Sequence, residues 1–125
     1  MSGLTLDAGA LIAFERNDRS TVVILVRALE QGVELATVAG AVGQVWRDGA
    51  RQARLARLLG SGAVRVEPLD DARARAAGQL CGVAGTQDVI DASVVLCART
   101  RGHSVLTSDV ADLRRLDSSL LLIRA

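Results

Sequence analysis

The sequence predicts an α/β fold in which a central, mostly parallel sheet of about five strands is flanked by helices. Short apolar strands alternate with helical segments throughout, and no linker or repeat interrupts them. The length of 125 residues suits one compact domain. Its core must be aliphatic, because Phe14 and Trp46 are the only aromatic residues. We therefore expect a single domain over residues 1–125, with helices on both faces of the sheet.

The predicted strands are short runs of apolar and β-branched residues that end at polar or turn residues, such as Pro68 after the third. They cover residues 3–6, 33–37, 63–67, 103–107 and 120–123. The predicted helices combine small and apolar residues, with Ser20 as the N-cap of the second helix and Gly32 and Gly102 as stops. They cover residues 8–15, 21–31, 38–47, 50–59, 69 to about 82, 87–101 and 110–116.

Composition excludes several kinds of chemistry. All 15 basic residues are arginine, so a lysine Schiff base, a Walker-type phosphate lysine and a receiver-type phosphoacceptor site are ruled out. His103, Cys81 and Cys97 are too few and too scattered for a structural zinc site. The cysteines fit buried thiols in a reducing compartment. With no apolar run long enough to span a membrane, we expect a cytoplasmic protein without a membrane partner.

Acidic residues fall where parallel strands end. Asp7 ends the first predicted strand, Asp109 follows the fourth, and Asp91 lies in the first turns of the longest helix. Ligands of open parallel sheets bind outside the carboxyl ends of the strands. Asp88 and Asp112 each lie three residues from one of these acids, on the same helix face. Carboxylates that converge without lysine or histidine indicate a site for Mg²⁺, with Mn²⁺ as the alternative.

Most of these acids also have a structural explanation, which the sequence leaves open. Asp88 is equally suited to be a helix N-cap, with Asp91 favoured by the helix dipole at the third position. Asp109 and Asp112 suit the start of the last helix in the same way. Asp7 lies between two apolar segments with no cation near it in sequence, and for this residue we favour a functional role.

Three segments carry a family resemblance. They are LTLDAGALIA at 4–13, DASVVLCA at 91–98 and VLTSDVADL at 105–113. In this order they resemble the first strand with its aspartate, the Asp-Ala helix and the Thr-x-Asp stretch of PIN domains, above all those of VapC-type toxin ribonucleases. The matches span nearly the whole chain.

The resemblance implies Mg²⁺-dependent hydrolysis of RNA phosphodiesters by the toxin of a type II toxin–antitoxin module. It implies that Asp7, Asp91 and Asp109 are catalytic and metal-binding acids, with Asp88 or Asp112 as a supporting carboxylate. It also implies two protein partners: a cognate antitoxin that silences the toxin, and a second copy of the chain in a homodimer.

Gln44 departs from the family pattern. The family has a further glutamate that opens the helix after the second strand, and in this sequence its place falls on Gln44. Glutamine keeps an oxygen ligand but loses a negative charge, so the affinity for Mg²⁺ should fall. The alternative function is therefore a weakened or inactive PIN-fold protein that acts by binding antitoxin or RNA.

Four further residues are candidates for substrate binding. The hydroxyls of Thr107 and Ser108 suit phosphate or metal-bound water, and equally the capping of the next helix. Arg47 and Arg51 begin an arginine stripe at helical spacing that suits an RNA backbone, and equally a solvated helix face.

Two apolar features bear on partners. The run of five aliphatic residues at 22–26 cannot all face inward from one helix, so we expect an exposed apolar face of the kind that antitoxins cover in the resembling family. Trp46 is expected in the core; if it is exposed, it would suit an interface.

Overall fold

The computed structural model describes residues 3–125, so Met1 and Ser2, within the predicted domain bounds 1–125, lie outside the described residues. Five strands form one sheet, and all four neighbouring pairs are parallel. They are β1 (Gly3–Leu6), β2 (Glu34–Val38), β3 (Val64–Glu67), β4 (Ser104–Thr107) and β5 (Leu122–Arg124), in the spatial order β3-β2-β1-β4-β5. The predicted α/β class with a five-stranded parallel sheet is confirmed.

Seven helices connect the strands within residues 3–125. They are α1 (Ala8–Glu15), α2 (Arg19–Glu30), α3 (Ala39–Val45), α4 (Ala53–Gly60), α5 (Asp71–Ala84), α6 (Val89–Arg101) and α7 (Val110–Leu116). The bounds predicted for α1 and α7 are correct. For α2 the predicted N-cap is wrong, because Asp18 accepts a hydrogen bond from the Thr21 amide at 3.1 Å while the Ser20 hydroxyl itself donates to Asp18.

The connection between α3 and α4 is longer than predicted. The side chain of Gln52 is buried and accepts hydrogen bonds from the amides of Arg47 and Asp48, at 2.7 and 3.0 Å. The same side chain donates to the carbonyl of Val45 at 2.8 Å. Because one amide group binds the backbone on both sides of the turn, α3 ends at Val45 and residues 46–52 form a loop.

Helices cover both faces of the sheet. Leu4 of β1 lines a groove together with Ile24 and Ala28 of α2. The next residue, Thr5, faces the opposite side, where its hydroxyl lies 3.9 Å from the sulfur of Cys97 in α6. All four residues of β1 are buried, as in a central strand enclosed on both faces.

The strand order creates a crevice at one edge of the sheet. From β1 the chain proceeds to β2 and β3 on one side, whereas β4 and β5 lie on the other. Such a reversal leaves the carboxyl ends of β1 and β4 side by side with their following helices directed apart, and this is where open α/β sheets bind ligands. Asp7 directly follows β1, and its amide donates to the carbonyl of Leu106 in β4 at 3.3 Å.

Two further expectations concern the thiols and the hydropathy of the helices. Cys81 and Cys97 are both free and buried, and burial raises the pKa of the Cys97 thiol to about 11, which keeps it protonated and unreactive.

Among residues 3–125 no single helix is long and apolar enough to cross a membrane; α5 and α6 reach that length and composition only as a pair bent by 105°.

Replacing a side chain at the centre of the sheet tests this packing. Leu106 of β4 is fully buried, so Leu106→Ala should lower the free energy of unfolding by about 2–5 kcal/mol through lost burial and the cavity left behind. Leu121 is 65% exposed, and Leu121→Ala should cost less than about 0.5 kcal/mol. Urea denaturation followed by circular dichroism measures both, and equal losses would contradict the packing described.

Candidate functional site

Asp7 is held by hydrogen bonds to both of its carboxylate oxygens. It is the N-cap of α1, where Oδ1 accepts from the amide of Ala10 at 2.8 Å, and Oδ2 accepts from the hydroxyl of Thr107. Only 3% of the residue is exposed. Burial raises the pKa of Asp7, and the hydrogen bonds from Thr107 and Ala10 oppose that rise. Asp7 is therefore a positioned, largely desolvated carboxyl group at the end of β1.

Thr107 connects Asp7 to the Asp109 backbone. It is the last residue of β4 and is fully buried; its hydroxyl donates to Asp7 and accepts a hydrogen bond from the amide of Asp109 at 2.8 Å. Both functions of the hydroxyl are thus used inside the protein. This arrangement fits the alternative that the sequence left open, in which the hydroxyl binds the start of the next helix.

Asp109 lies at the N-cap position of α7, but its side chain makes no capping hydrogen bond. Capping of α7 by the Asp109 side chain, the structural alternative that the sequence left open, is therefore not observed. A hydrogen bond with Asp112 raises the pKa of Asp109, and partial burial and the charge of Asp112 raise it further. The carboxylate of Asp109 thus remains available for a ligand and lies close to a second acid.

Asp88 and Asp91 interact at the start of α6. Oδ1 of Asp88 accepts from the amide of Asp91 at 2.9 Å, so the capping role predicted for Asp88 is confirmed. Burial raises the pKa of Asp91 to about 7, and the negative charges of Asp88, Asp7 and Asp109 contribute to the rise. Only acids that lie close together affect one another in this way.

The structure brings three of the predicted acids into direct proximity. Asp91, Asp109 and Asp112 each offer a carboxylate oxygen, and the three oxygens lie within 4.8 Å of one another. We call these three residues the acidic cluster. Asp7 and Asp88 lie outside it but close enough to raise the pKa of Asp91. An all-carboxylate donor set of this kind fits a hard divalent cation such as Mg²⁺ or Mn²⁺.

Ser108 lies at the exposed surface beside these acids. It packs so tightly on Gly9 that a Cβ at position 9 would collide with the Ser108 hydroxyl. The same Cβ would lie 3.4 Å from an oxygen of Asp7. Glycine at position 9 therefore allows α1 to begin directly against the loop that follows β4.

Sequence reasoning missed Arg115. A small polar recess next to the acidic cluster, here called the acidic recess, is lined by Thr86, Asp88, Asp91, Asp112, Arg115 and Leu116. Arg115 follows Asp112 by three residues on α7, and that spacing places both side chains on one helix face. The spacing is visible in the sequence, although the neighbouring Asp88 and Asp91 are brought in only by the fold.

The predicted arginine stripe does not form. Arg47 and Arg51 lie in the loop between α3 and α4 rather than on a helix. The guanidinium of Arg47 donates to the carbonyls of Gly43 and Trp46, at 3.2 and 2.7 Å. Arg51 has a 90% exposed side chain that lies 3.8 Å from a carboxylate oxygen of Asp48. The hydrogen bonds of Gln52 end α3 before Arg47, and α4 begins only at Ala53, so the rest of the predicted stripe, Arg54 and Arg57, lies on a different element from Arg47 and Arg51.

Gln44 lies in the last turn of α3 and is exposed, so it does not open the helix after β2 as the comparison with the family supposed. The first turn of α3 packs on α6, since a Cβ at Gly40 would lie 2.9 Å from the side chain of Ile90. Residues four apart share a helix face, so Gln44 lies one turn beyond this contact.

The exposed apolar face predicted on α2 is present. Val23, Val26 and Leu29 are each about 40% exposed. Beside them a groove of about 300 Å³ is lined by Leu4, Ile24, Arg27, Ala28, Gln31, Val33 and Ile123. The core position predicted for Trp46 is wrong: the chain leaves α3 at this residue, and Trp46 is 39% exposed.

Comparison with solved structures identifies the fold. A chain in the structure of FitAB bound to the IR36 DNA fragment has a TM-score of 0.67 and 16% identity, with 97% of this chain and 94% of that chain covered. FitAcB from Neisseria gonorrhoeae has a TM-score of 0.65 and 16% identity, with 96% of each chain covered. VapC20 of Mycobacterium tuberculosis, a sarcin-ricin loop cleaving toxin, has a TM-score of 0.60 and 16% identity, with 88% and 94% covered.

These similarities confirm the PIN-type fold that the three sequence segments predicted, including its resemblance in fold to VapC-type toxins. No protein-family model matches the sequence, and no curated protein matches it significantly. At 16% identity the likeness establishes the fold, while the chemistry must be argued from the residues of this chain.

Removing the Thr107 hydroxyl tests its connecting role. Thr107→Val keeps the shape of the side chain but removes a hydrogen-bond donor from the buried Asp7 and the acceptor for the amide of Asp109. We expect the free energy of unfolding to fall by about 1–3 kcal/mol. Thr107→Ser keeps the hydroxyl and should retain more stability in the same urea titration. A serine variant as unstable as the valine variant would contradict the role.

The pKa of Asp91 predicts a dependence of stability on pH. Because the folded state raises this pKa from 3.8 to about 7, the favourable contribution of a neutral Asp91 is lost as the pH rises through 7. Asp91→Asn stays neutral, so its melting temperature should exceed that of the wild type increasingly from about pH 4 to pH 7, and the difference should stay constant at higher pH. Calorimetry in EDTA measures the difference.

The matched control for this measurement is Asp71→Asn, because Asp71 has an 80% exposed side chain on α5. The melting temperature of Asp71→Asn should differ from that of the wild type by a constant amount over the same pH range. His103, whose pKa is lowered by burial, titrates in all three proteins and cancels in the comparison. A difference between wild type and Asp91→Asn that does not grow with pH would contradict the shift.

Proposed function

We propose that this protein is a metal-dependent endoribonuclease, the toxin of a type II toxin–antitoxin module. The observation that supports it most is the acidic cluster at the switch point of the sheet, beside the ends of β1 and β4. The fold is shared with VapC20, a sarcin-ricin loop cleaving toxin, and this likeness supports cleavage as the activity. The proposed substrate is an RNA phosphodiester.

Asp91, Asp109 and Asp112 are proposed to hold a divalent cation, Mg²⁺ or Mn²⁺. Their three oxygens lie within 4.8 Å of one another, which suits ligands gathered around one ion after small adjustments. Burial raises the pKa of Asp91, and the negative charges of Asp88, Asp7 and Asp109 raise it further; a bound cation would offset those charges. When bound, such an ion supplies Lewis acidity toward a phosphate oxygen and makes water a better nucleophile.

The other acids have supporting roles in this proposal. Asp7 adds negative charge beneath the cluster while the Thr107 hydroxyl fixes its orientation. Asp88 caps α6 and so sets the position of Asp91. His103 takes no part, because it is buried at the amino end of β4, within 3.0 Å of Thr5 and Glu34.

Substrate contacts are proposed for the candidates that remain accessible. Ser108 is exposed beside Asp7 and suits a phosphate oxygen. Thr107 acts in this proposal through Asp7 and Asp109, because its hydroxyl is already bonded to both residues. Arg47 and Arg51 are exposed on the loop between α3 and α4. There they suit contacts with RNA phosphates farther along the RNA from the acidic cluster.

The exposed apolar surface beside α2 is a candidate binding site for a protein partner. We propose that a segment of the cognate antitoxin occupies the groove beside α2, whose lining is apolar apart from Arg27 and Gln31. A homodimer remains a prediction from the family resemblance. The two free buried cysteines support a reducing compartment, the cytoplasm, as the place of action.

Cleavage of RNA by the purified chain tests the activity. A pool of structured RNAs should be cut in Mg²⁺ or Mn²⁺ and left intact in EDTA. Asp109→Asn should reduce the cleavage rate by about 100-fold or more, because it removes a charged ligand without removing a helix cap. Asp71→Asn, a distant and exposed substitution of the same kind, should cut like the wild type.

The outcomes separate the two functions that the sequence leaves open. Cleavage that survives EDTA or Asp109→Asn would contradict the metal-site proposal. A folded protein that binds RNA or antitoxin but does not cut would favour the alternative of a binding protein with a weakened site. The observation that favours this alternative is that α3, the helix after β2, carries no glutamate, and the exposed, uncharged Gln44 in its last turn is its one polar side chain.

A further inference from the structure

Arg115 is the one basic residue that lines the acidic recess, within the part of the chain that the structure describes. Three carboxylates, those of Asp88, Asp91 and Asp112, line the same recess. Arginine beside several carboxylates ordinarily forms an ion pair with one of them. In this recess it does not.

No hydrogen bond or ion pair involves the Arg115 guanidinium among residues 3–125, where an ion pair means a separation of 4.0 Å or less. Arginines that lie beside an acid elsewhere in this chain do pair with it: Arg99 contacts Asp117 at 2.8 Å, and Arg101 contacts Glu34 at 2.9 Å, whereas several other arginines, Arg114 among them, form no ion pair within residues 3–125. The five N–H donors of Arg115 are thus available to a ligand that enters the recess.

The helix dipole does not distinguish Arg115 from its neighbour Arg114. Arg114 and Arg115 both lie in the last turn of α7, where a positive charge is favoured by the helix dipole. Both arginines are exposed, but only Arg115 lines the recess, because it shares a helix face with Asp112 and Arg114 is turned about 100° away. The dipole favours both residues alike, and helix periodicity directs Arg115 but not Arg114 toward the acids.

We propose that Arg115 binds a backbone phosphate of the RNA, next to the phosphodiester held at the acidic cluster. This inference rests on the proposed function. A planar guanidinium with free donors is suited to bidentate contact with phosphate. The carboxylates beside it repel the same phosphate, so the positive charge of Arg115 offsets part of the repulsion on the α6–α7 side of the site.

Arg115 is thereby a positioning residue for the substrate strand. It lies on the last turn of α7, directly after Asp112 of the acidic cluster along the same face. The phosphate held by Arg115 is next to the reacting phosphodiester along the RNA, so the RNA strand passes over the acidic recess. Contact with Arg115 should act mainly on binding and only secondarily on the rate of the chemical step.

Binding of RNA in the absence of metal tests the proposal without relying on cleavage. The probe is a fluorescein-labelled single-stranded RNA oligonucleotide, its affinity measured by anisotropy in EDTA at several salt concentrations. Arg115→Ala should weaken binding about 5–10-fold and reduce the salt slope by roughly 0.7, the value for one phosphate contact on a single strand. Arg115→Lys should keep the slope and lose part of the affinity.

Arg114→Ala is the matched control, since it removes the same charge one residue away. It should weaken binding less than about 2-fold. Melting temperatures of all variants, measured alongside, show that each is folded. In the cleavage assay Arg115→Ala should raise KM with a smaller effect on kcat.

The results distinguish this inference from the proposed function. If the wild type cuts RNA while Arg115→Ala and Arg114→Ala weaken binding equally, long-range charge explains the effect and the contact is overturned, while the function stands. If the wild type neither binds nor cuts RNA, both are overturned. A loss of RNA affinity that is specific to Arg115→Ala, together with an unchanged salt dependence of binding in Arg115→Lys, supports the contact between Arg115 and a phosphate.

Discussion

The hydroxyl of Thr107 joins the two central strands at the point where their chains diverge. It donates to Asp7 at the end of β1 and accepts from the amide of Asp109 after β4. These two hydrogen bonds fix the position of the backbone at Asp109, and α7 begins directly after that residue. Asp112 and Arg115 depend on α7 in turn, so one buried hydroxyl determines much of the geometry of the site.

Acidic side chains are paired with basic ones at the amino end of the sheet but not at its carboxyl end. At the amino end, Glu34 pairs with Arg101 at 2.9 Å and lies 3.0 Å from the buried ring of His103. At the carboxyl end, the acidic cluster has no protein cation in ion-pair contact among residues 3–125, and the pKa of Asp91 rises to about 7. Neutralised charges stabilise a fold, whereas convergent like charges cost stability and are typical of functional sites.

Local patterns in the sequence account for much of the fold. The bounds of β1, α1 and α7 were predictable, because apolar runs, capping residues and glycine stops act within a few residues. The loop between α3 and α4 was not, because it depends on Gln52 folding back onto the backbone five to seven residues earlier. Small residues in α3 and α4 suit a helix equally well whether or not that turn forms.

For the site, the sequence alone determined the kind of chemistry: a chain without lysine that carries aspartates at the ends of two strands. Only the tertiary structure decided which acids meet. The strand order β3-β2-β1-β4-β5 brings β4 beside β1, and the packing of α6 against α7 gathers Asp91, Asp109 and Asp112 while leaving Asp7 and Asp88 at the margin. Local propensities act over a few residues, whereas the hydrogen bond between Thr107 and Asp7 joins residues 100 positions apart and follows from the pairing of β1 with β4.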